Sequence, residues 1–187
     1  EPVGMEKIGL SPMTLRSKVE TLIDAEIAHA KAGRPAAIWA KMNSLVDDIM
    51  IEKLYEASNA GVKIELNIRG ICCLKPGLKG ISENIRVRSI VGRFLEHDRV
   101  YWFENGGNDG PAVYIGSADW MDRNLERRVE VLVPILAPNL VDFLRGLLEA
   151  YLEDTRRTRL MLADGSYLRM STEADAFDIH DHLMERR

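Results

Sequence analysis

Apolar residues at Leu15, Val19, Leu22, Ile23, Ile27 and Ala30 recur every three to four positions, with Arg16, Lys18, Glu20, Asp24 and Glu26 between them. That period puts one apolar stripe on a helix, opened at Thr14 and closed by Gly33 and Pro35. Residues 35–42 are short and apolar and predict a buried strand, broken at Asn43 and Ser44. A second helix is predicted over 47–59, with Ile49, Met50, Leu54 and Ala57 inward and Ala60-Gly61 as its stop. Residues 62–68 alternate strictly between apolar and polar, the pattern of a strand. A strand, a crossover helix and a second strand make a parallel, right-handed pair.

After a Gly/Pro-punctuated loop at 70–84, the pattern changes to short extended segments at 85–91, 98–103, 112–115 and 128–136, with a Gly-rich turn at 105–111. Leu140, Phe143, Leu144, Leu147, Leu148, Tyr151 and Leu152 predict a third, strongly amphipathic helix. An Asp164-Gly165 turn separates extended segments at 160–162 and 167–170, and a last helix is expected over 173–184. The fold class is therefore α/β, with a mixed, mostly parallel sheet flanked by helices. One domain is expected over 1–187, with 1–12 as a lead-in and 160–187 as a tail.

A length of 187 residues suits a single domain, and 46% hydrophobic with 29% charged residues is the balance of a folded globular chain. The formal net charge is −4, from 25 basic and 29 acidic residues. Nucleic acid is not expected as a partner, because such binding usually shows as a basic excess. No run of 18 apolar residues occurs, so no transmembrane helix is expected, and residues 1–7 do not resemble a secretory leader. Two adjacent cysteines, Cys72 and Cys73, make neither a disulfide framework nor a CxxC zinc pair. They are expected as buried or half-buried thiols in a reducing cytoplasm. The chain begins with Glu1, so a piece of a longer protein is expected.

Charge is uneven along the chain. Between residues 69 and 99 stand Arg69, Lys75, Lys79, Arg86, Arg88, Arg93 and Arg99, against Glu83, Glu96 and Asp98. Clustered arginines suit phosphate or carboxylate ligands, since the guanidinium fork bonds two oxygens at once. Arg86 and Arg88, alternating on a strand, read as a solvated face. Arg69 stands where a strand ends, and ligand sites gather at the C-terminal ends of parallel strands. Lys41, Asn43 and Ser44 close the other parallel strand in the same way, with a capping turn as the alternative. Of the four histidines, His29 reads as a solvated helical residue, while His180 and His182 lie in the polar tail, pointing apart on a helix. His97 stands just before an apolar strand, two residues from Arg99 and seven from Glu104, and Gly116-Ser117-Ala-Asp119 and Glu130 follow.

That order resembles a phospholipase D half-site, in which an imidazole handles a phosphoryl group, a cation neutralises its oxygens and a carboxylate orients the ring. Arg99, Glu104 and Asp119 stand where that pattern has Lys, Asp and Asn. A closer resemblance spans nearly the whole chain. It rests on segments 8–16 (Ile-Gly-Leu-Ser-Pro-Met-Thr-Leu-Arg), 38–45 (Ile-Trp-Ala-Lys-Met-Asn-Ser-Leu), 67–74 (Asn-Ile-Arg-Gly-Ile-Cys-Cys-Leu), 94–97 (Phe-Leu-Glu-His) and 117–124 (Ser-Ala-Asp-Trp-Met-Asp-Arg-Asn). Together they resemble the last, phospholipase-D-like domain of the polyphosphate kinase family, and no P-loop is present.

The resemblance implies a transferase that moves the terminal phosphate of ATP reversibly onto inorganic polyphosphate, through a phosphohistidine in a preceding domain. It implies that magnesium is held by that preceding domain too, with no metal ligand in this segment. Arg69 matches an arginine that contacts nucleotide phosphates, and His97 a second histidine that binds nucleotide and assists transfer. Lys41, Asn43, Arg99, Ser117, Asp119 and Glu130 are expected to line the same pocket, with Asp119 or Glu130 orienting a histidine. The expected partners are ATP or ADP, polyphosphate, the preceding domains and further copies of the enzyme. The expected location is the cytoplasm, with peripheral association at the inner membrane. Two other functions remain open at this point: a phospholipase-D-class phosphodiesterase working as a dimer, and a polyanion-binding module without chemistry.

Overall fold

The computed structural model describes residues 7–107, 110–171, 173 and 175–185. The chain forms β1 (Gly9–Ser11), α1 (Leu15–Lys31), β2 (Ala37–Met42), α2 (Asp48–Asn59), β3 (Lys63–Ile68), β4 (Ile85–Ile90), β5 (Val100–Phe103), β6 (Ala112–Gly116), β7 (Glu130–Pro134), α3 (Pro138–Glu153), β8 (Thr158–Met161), β9 (Tyr167–Arg169) and α4 (Ile179–Glu185). The nine strands among the described residues join one sheet in the order β1-β7-β6-β5-β2-β3-β4-β8-β9.

The sheet is mixed and flanked by helices, as expected, but antiparallel pairing dominates. Among the described strands β2–β3 and β3–β4 pair parallel, and the six other ladders are antiparallel. A parallel step needs a long crossover. The connections through α2 and the loop 69–84 are long enough and set their strands side by side, whereas the long connections through α1 and α3 lead to strands that are not neighbours. The lead-in supplies β1, which pairs with β7. The tail supplies the β8–β9 hairpin, with β8 laid against β4. The last helix is shorter than its pattern predicts.

The two-residue period of the strands sorts side chains between two layers. Ile38, Ala40 and Met42 of β2 join Leu15, Val19, Ile23, Met50 and Leu54 in the core beneath α1 and α2. Trp39 turns the other way, where Val100, Trp102 and Val113 meet Leu144 and Leu148 of α3. Ile90, Tyr151 and Ile179 form a smaller cluster that seats α4 against the end of α3. Arg88 is buried here, contrary to a solvated reading. It donates to the Leu152 carbonyl near the C-terminus of α3 and to Glu65 at 3.2 Å, while Arg86 stays exposed. A cation there meets the unsatisfied carbonyls of a helix end.

Candidate active site

Strand polarity brings the expected residues to one end of the sheet. β2 and β3 run parallel and finish together, Met42 opposite Ile68, so the next pair in register is Asn43 and Arg69. β5 is antiparallel to β2 and begins there, bringing Arg99 and His97. β6 is antiparallel to β5 and ends there, bringing Ser117 and Asp119. Backbone bonds staple the loops after β2, β3 and β6. Leu45 N–H donates to the Ile71 carbonyl at 2.9 Å, Cys73 N–H to Leu45 at 2.9 Å, and Val46 and Asp47 N–H to Trp120 at 2.9 and 3.0 Å.

One chain of contacts runs through the polar end. Arg69 Nε donates to Asn43 Oδ1 at 2.9 Å. Asn43 N–H donates to Asp119 Oδ1 at 2.8 Å. Asp119 holds Arg99, whose Nη1 reaches the His97 carbonyl at 2.7 Å and the His97 Nδ1 at 3.2 Å. Arg69 is half-buried and its two terminal nitrogens have no partner among the described residues, while His97 is exposed with Nε2 unpaired. Asn43 Nδ2 is buried without an acceptor. Donors therefore outnumber acceptors around Arg69, the balance of a place that receives an oxyanion.

A second network stands behind the first. Lys41 is 4% exposed, and its Nζ lies 2.9 Å from Glu96 Oε2, 2.8 Å from Asp98 Oδ1 and 4.8 Å above the Tyr151 ring. His180 Nε2 meets the other Glu96 oxygen at 2.5 Å. Burial pushes the Tyr151 phenol well above its ordinary value, and Glu96 and Asp98 push it further, so it stays protonated. Lys41 is thus committed to fixing 96–98 rather than facing a ligand. His180, read from sequence as a residue of a polar tail, is buried and holds the segment that carries His97. Neither His180 nor Glu96 had a spacing signal, because 84 positions separate them along the chain.

Other expectations change role. Asn43 and Ser44 do not cap α2; Asp47 does, accepting from Met50 N–H at 3.0 Å. Glu130 takes Asn124 Nδ2 at 2.6 Å and does not orient a histidine. Asp119 reaches His97 only through Arg99. Ser117 Oγ accepts from Val131 N–H at 3.0 Å and fixes the start of β7. Glu104 lies at the opposite end of β5, bonded to Trp102 Nε1 at 3.1 Å, so it is outside this cluster. His29 is half-buried rather than solvated, with its Nδ1 buried and unpartnered. A groove of about 580 Å³ opens beside Asp98, Arg99 and Ser117, with apolar walls from Val100, Leu144 and Leu147.

The carboxylates at this end are engaged by arginine and lysine, and among the described residues no three His, Cys, Asp or Glu side chains come together to hold a metal. The residues present do not fit a magnesium ion.

A mixed sheet between two helical layers, with its polar cluster at one end, is a phospholipase-D-like fold. The fold matches a phospholipase D family member, Nuc, from Salmonella typhimurium, with a TM-score of 0.59 at 18% identity, covering 83% of this chain and 96% of that one. More specifically, the chain belongs to the polyphosphate kinase family: residues 8–179 match the family model described as polyphosphate kinase C-terminal domain 2. It is 54% identical over 182 residues to the polyphosphate kinase of Parasynechococcus marenigrum, covering 97% of this chain and 25% of that protein. The crystal structure of polyphosphate kinase from Porphyromonas gingivalis matches with a TM-score of 0.90 at 35% identity, over 99% of this chain and 28% of that one. The chain thus spans about a quarter of the length of these relatives.

Proposed function

We propose that this chain is the last domain of an ATP:polyphosphate phosphotransferase and supplies Arg69 and His97 to a site completed by preceding domains. In this reading the bond between the γ-phosphorus of ATP and the bridging oxygen of ADP breaks as the phosphoryl group passes to an imidazole of the preceding domain. The resulting P–N bond breaks as the group passes to the terminal oxygen of a polyphosphate chain, and both steps reverse. That histidine makes the enzyme a phosphoprotein. Magnesium, in this reading, is held with that histidine in the preceding domain. Transfer of this kind needs positioning and charge neutralisation more than covalent help. Arg69 bonds phosphate oxygens through its free terminal nitrogens.

One observation carries the reading: Arg69, with two nitrogens unpaired among the described residues, is tied to His97 by an unbroken chain through Asn43, Asp119 and Arg99. The same contacts support an assisting role for His97. A guanidinium has no acceptor, so His97 Nδ1 receives the hydrogen from Arg99 Nη1. The tautomer that fits this contact carries its hydrogen on Nε2. In that tautomer the outward nitrogen donates to a phosphate oxygen and is no nucleophile, which supports assistance by His97 and phosphorylation elsewhere. Asn43, Lys41, Arg99 and Asp119 are positioning residues. Family resemblance supports a cytoplasmic homo-oligomer that associates peripherally with the inner membrane; among the described residues no helix is long and apolar enough to cross one.

The test is ATP titration of the full-length enzyme carrying Arg69→Ala. Loss of a charge-assisted contact is expected to weaken binding by roughly tenfold to a hundredfold. Unchanged affinity removes Arg69 from the site. Phosphate found on His97 of the working enzyme would remove the assisting role.

A further inference from the structure

A second basic cluster stands at the same end of the sheet, beyond Arg69. β8 starts there, with Thr158 opposite Ile90 and Arg159 opposite Ser89, and the Ser89 hydroxyl donates to the Arg69 carbonyl at 3.2 Å. β9 returns beside β8, so that Arg169 lies directly opposite Arg159. With Arg156 and Arg157 these residues line a cavity of about 340 Å³ that also takes in Asp178 and Asp181.

The cluster is not neutralised from within. Asp178 is held by Arg157, at 2.7 Å from Nε and 2.6 Å from Nη2. Arg156 donates to the Glu173 carbonyl. Arg159 and Arg169 are exposed, and neither has an acidic partner among the described residues. Four guanidinium groups against two carboxylates leave two positive charges in excess. Like charges directly opposite on a ladder destabilise it. An anion lying between Arg159 and Arg169 reverses that sign, and the planar fork favours phosphate oxygens.

We propose that this arginine cluster binds a stretch of a linear phosphate chain away from the transfer site, holding polyphosphate that extends past Arg69. The proposal rests on the phosphotransferase reading above. From β3 to β9 is three strand spacings of about 4.8 Å, roughly 14 Å in all. A long chain reaches both places at once and gains by effective concentration. ATP, tripolyphosphate and orthophosphate are too short to do so.

The experiment compares the full-length enzyme with Arg159→Glu/Arg169→Glu in binding long-chain inorganic polyphosphate, tripolyphosphate and ATP across a range of salt. Charge reversal is expected to weaken long-chain binding at least about tenfold, to flatten its salt dependence, and to leave ATP and tripolyphosphate unmoved. Arg159→Lys/Arg169→Lys keeps the charge and is expected to retain most of the long-chain affinity, which separates charge from misfolding. Long-chain affinity that survives charge reversal, or equal losses for long and short ligands, overturns the cluster's role. If the wild-type enzyme turns over ATP normally in that case, the phosphotransferase reading stands without this site. If the wild type shows no such turnover, that reading falls, and the long-chain binding comparison still decides what the cluster does.

Discussion

Arg99 grips Asp119 with two nitrogens, Nε on Oδ1 at 3.1 Å and Nη2 on Oδ2 at 3.0 Å, and both side chains are less than a tenth exposed. The pair joins the strand that follows His97 to the turn after β6, and each partner reaches on, to His97 and to the Asn43 backbone. Removing one half leaves the other charge buried and unpaired, at a cost of about 3–5 kcal/mol. Arg99→Ala is expected to lose stability of that order in urea unfolding, together with a fall in kcat. Arg99→Lys keeps the charge and loses the fork, so it is expected to recover stability further than turnover. A wild-type urea midpoint for Arg99→Ala would show that the pair does not hold this end of the sheet.

α4 clamps the segment before β5 through His180, Glu96 and Lys41. His180→Ala leaves part of a buried polar network unmatched, a cost of about 1–3 kcal/mol. The expected result is a lower Tm and faster hydrogen exchange over residues 93–98, with exchange in β3 unaltered. Exchange at 93–98 that matches wild type would separate the tail from the site.

Acid stability has two opposed contributors. Burial pushes the Asp47 carboxyl up, but hydrogen bonds from Arg16 and the Met50 N–H outweigh it and hold its pKa below the usual range. Its contribution is therefore present above about pH 4 and is lost as pH falls through the lower folded-state value. Asp47→Asn is expected to be less stable than wild type at pH 7, with the gap narrowing below pH ~4. Glu26 has the reverse sign: burial raises its pKa despite bonds from Asn105 and Ala37, so its contribution favours folding at low pH and fades as pH rises. Parallel pH–stability curves for wild type and Asp47→Asn would contradict the first assignment.

Gly70 follows Arg69 where two strand ends cross. A Cβ there would sit 2.9 Å from the Asn43 carbonyl oxygen, which already accepts the Gly70 N–H at 2.7 Å. Backbone must move to admit it. Gly70→Ala is expected to raise the KM for ATP more than it lowers Tm, because it displaces the Arg69–Asn43 contact while leaving the core intact. Equal kinetics in the variant would show that this crossing has slack.

The two thiols differ. Burial pushes Cys72 up to about 11, while Cys73 is exposed, which departs from the expectation that both are covered. Alkylation near pH 8, read by mass spectrometry, is expected to label Cys73 and spare Cys72. Prior labelling of Cys72 would mean that the 70–74 loop opens.

Periodicity made the elements visible before any coordinates. α1, β2, α2 and β3 lie within two residues of their expected bounds, because each carries a repeating apolar face that only one local geometry can bury. Arg69 and His97 were also readable, one from its place at a strand end and both through motif resemblance. What the chain pattern could not hold was direction and partnership. Antiparallel pairing of β8 with β4 and of β1 with β7 joins segments far apart in sequence, and no local period records it.

Residue roles divide the same way. The sequence alone determined which chemistry-bearing side chains exist and which end of a strand each occupies, since both follow from local geometry. The tertiary structure alone decided which charges neutralise each other. It gave Lys41 to Glu96 and Asp98, Arg99 to Asp119 and Arg88 to Glu65, and left the Arg69 terminal nitrogens, Arg159 and Arg169 without an acidic partner among the described residues. The physical reason is that an ion pair forms within about 4 Å in space, and folding sets that distance whatever the separation along the chain.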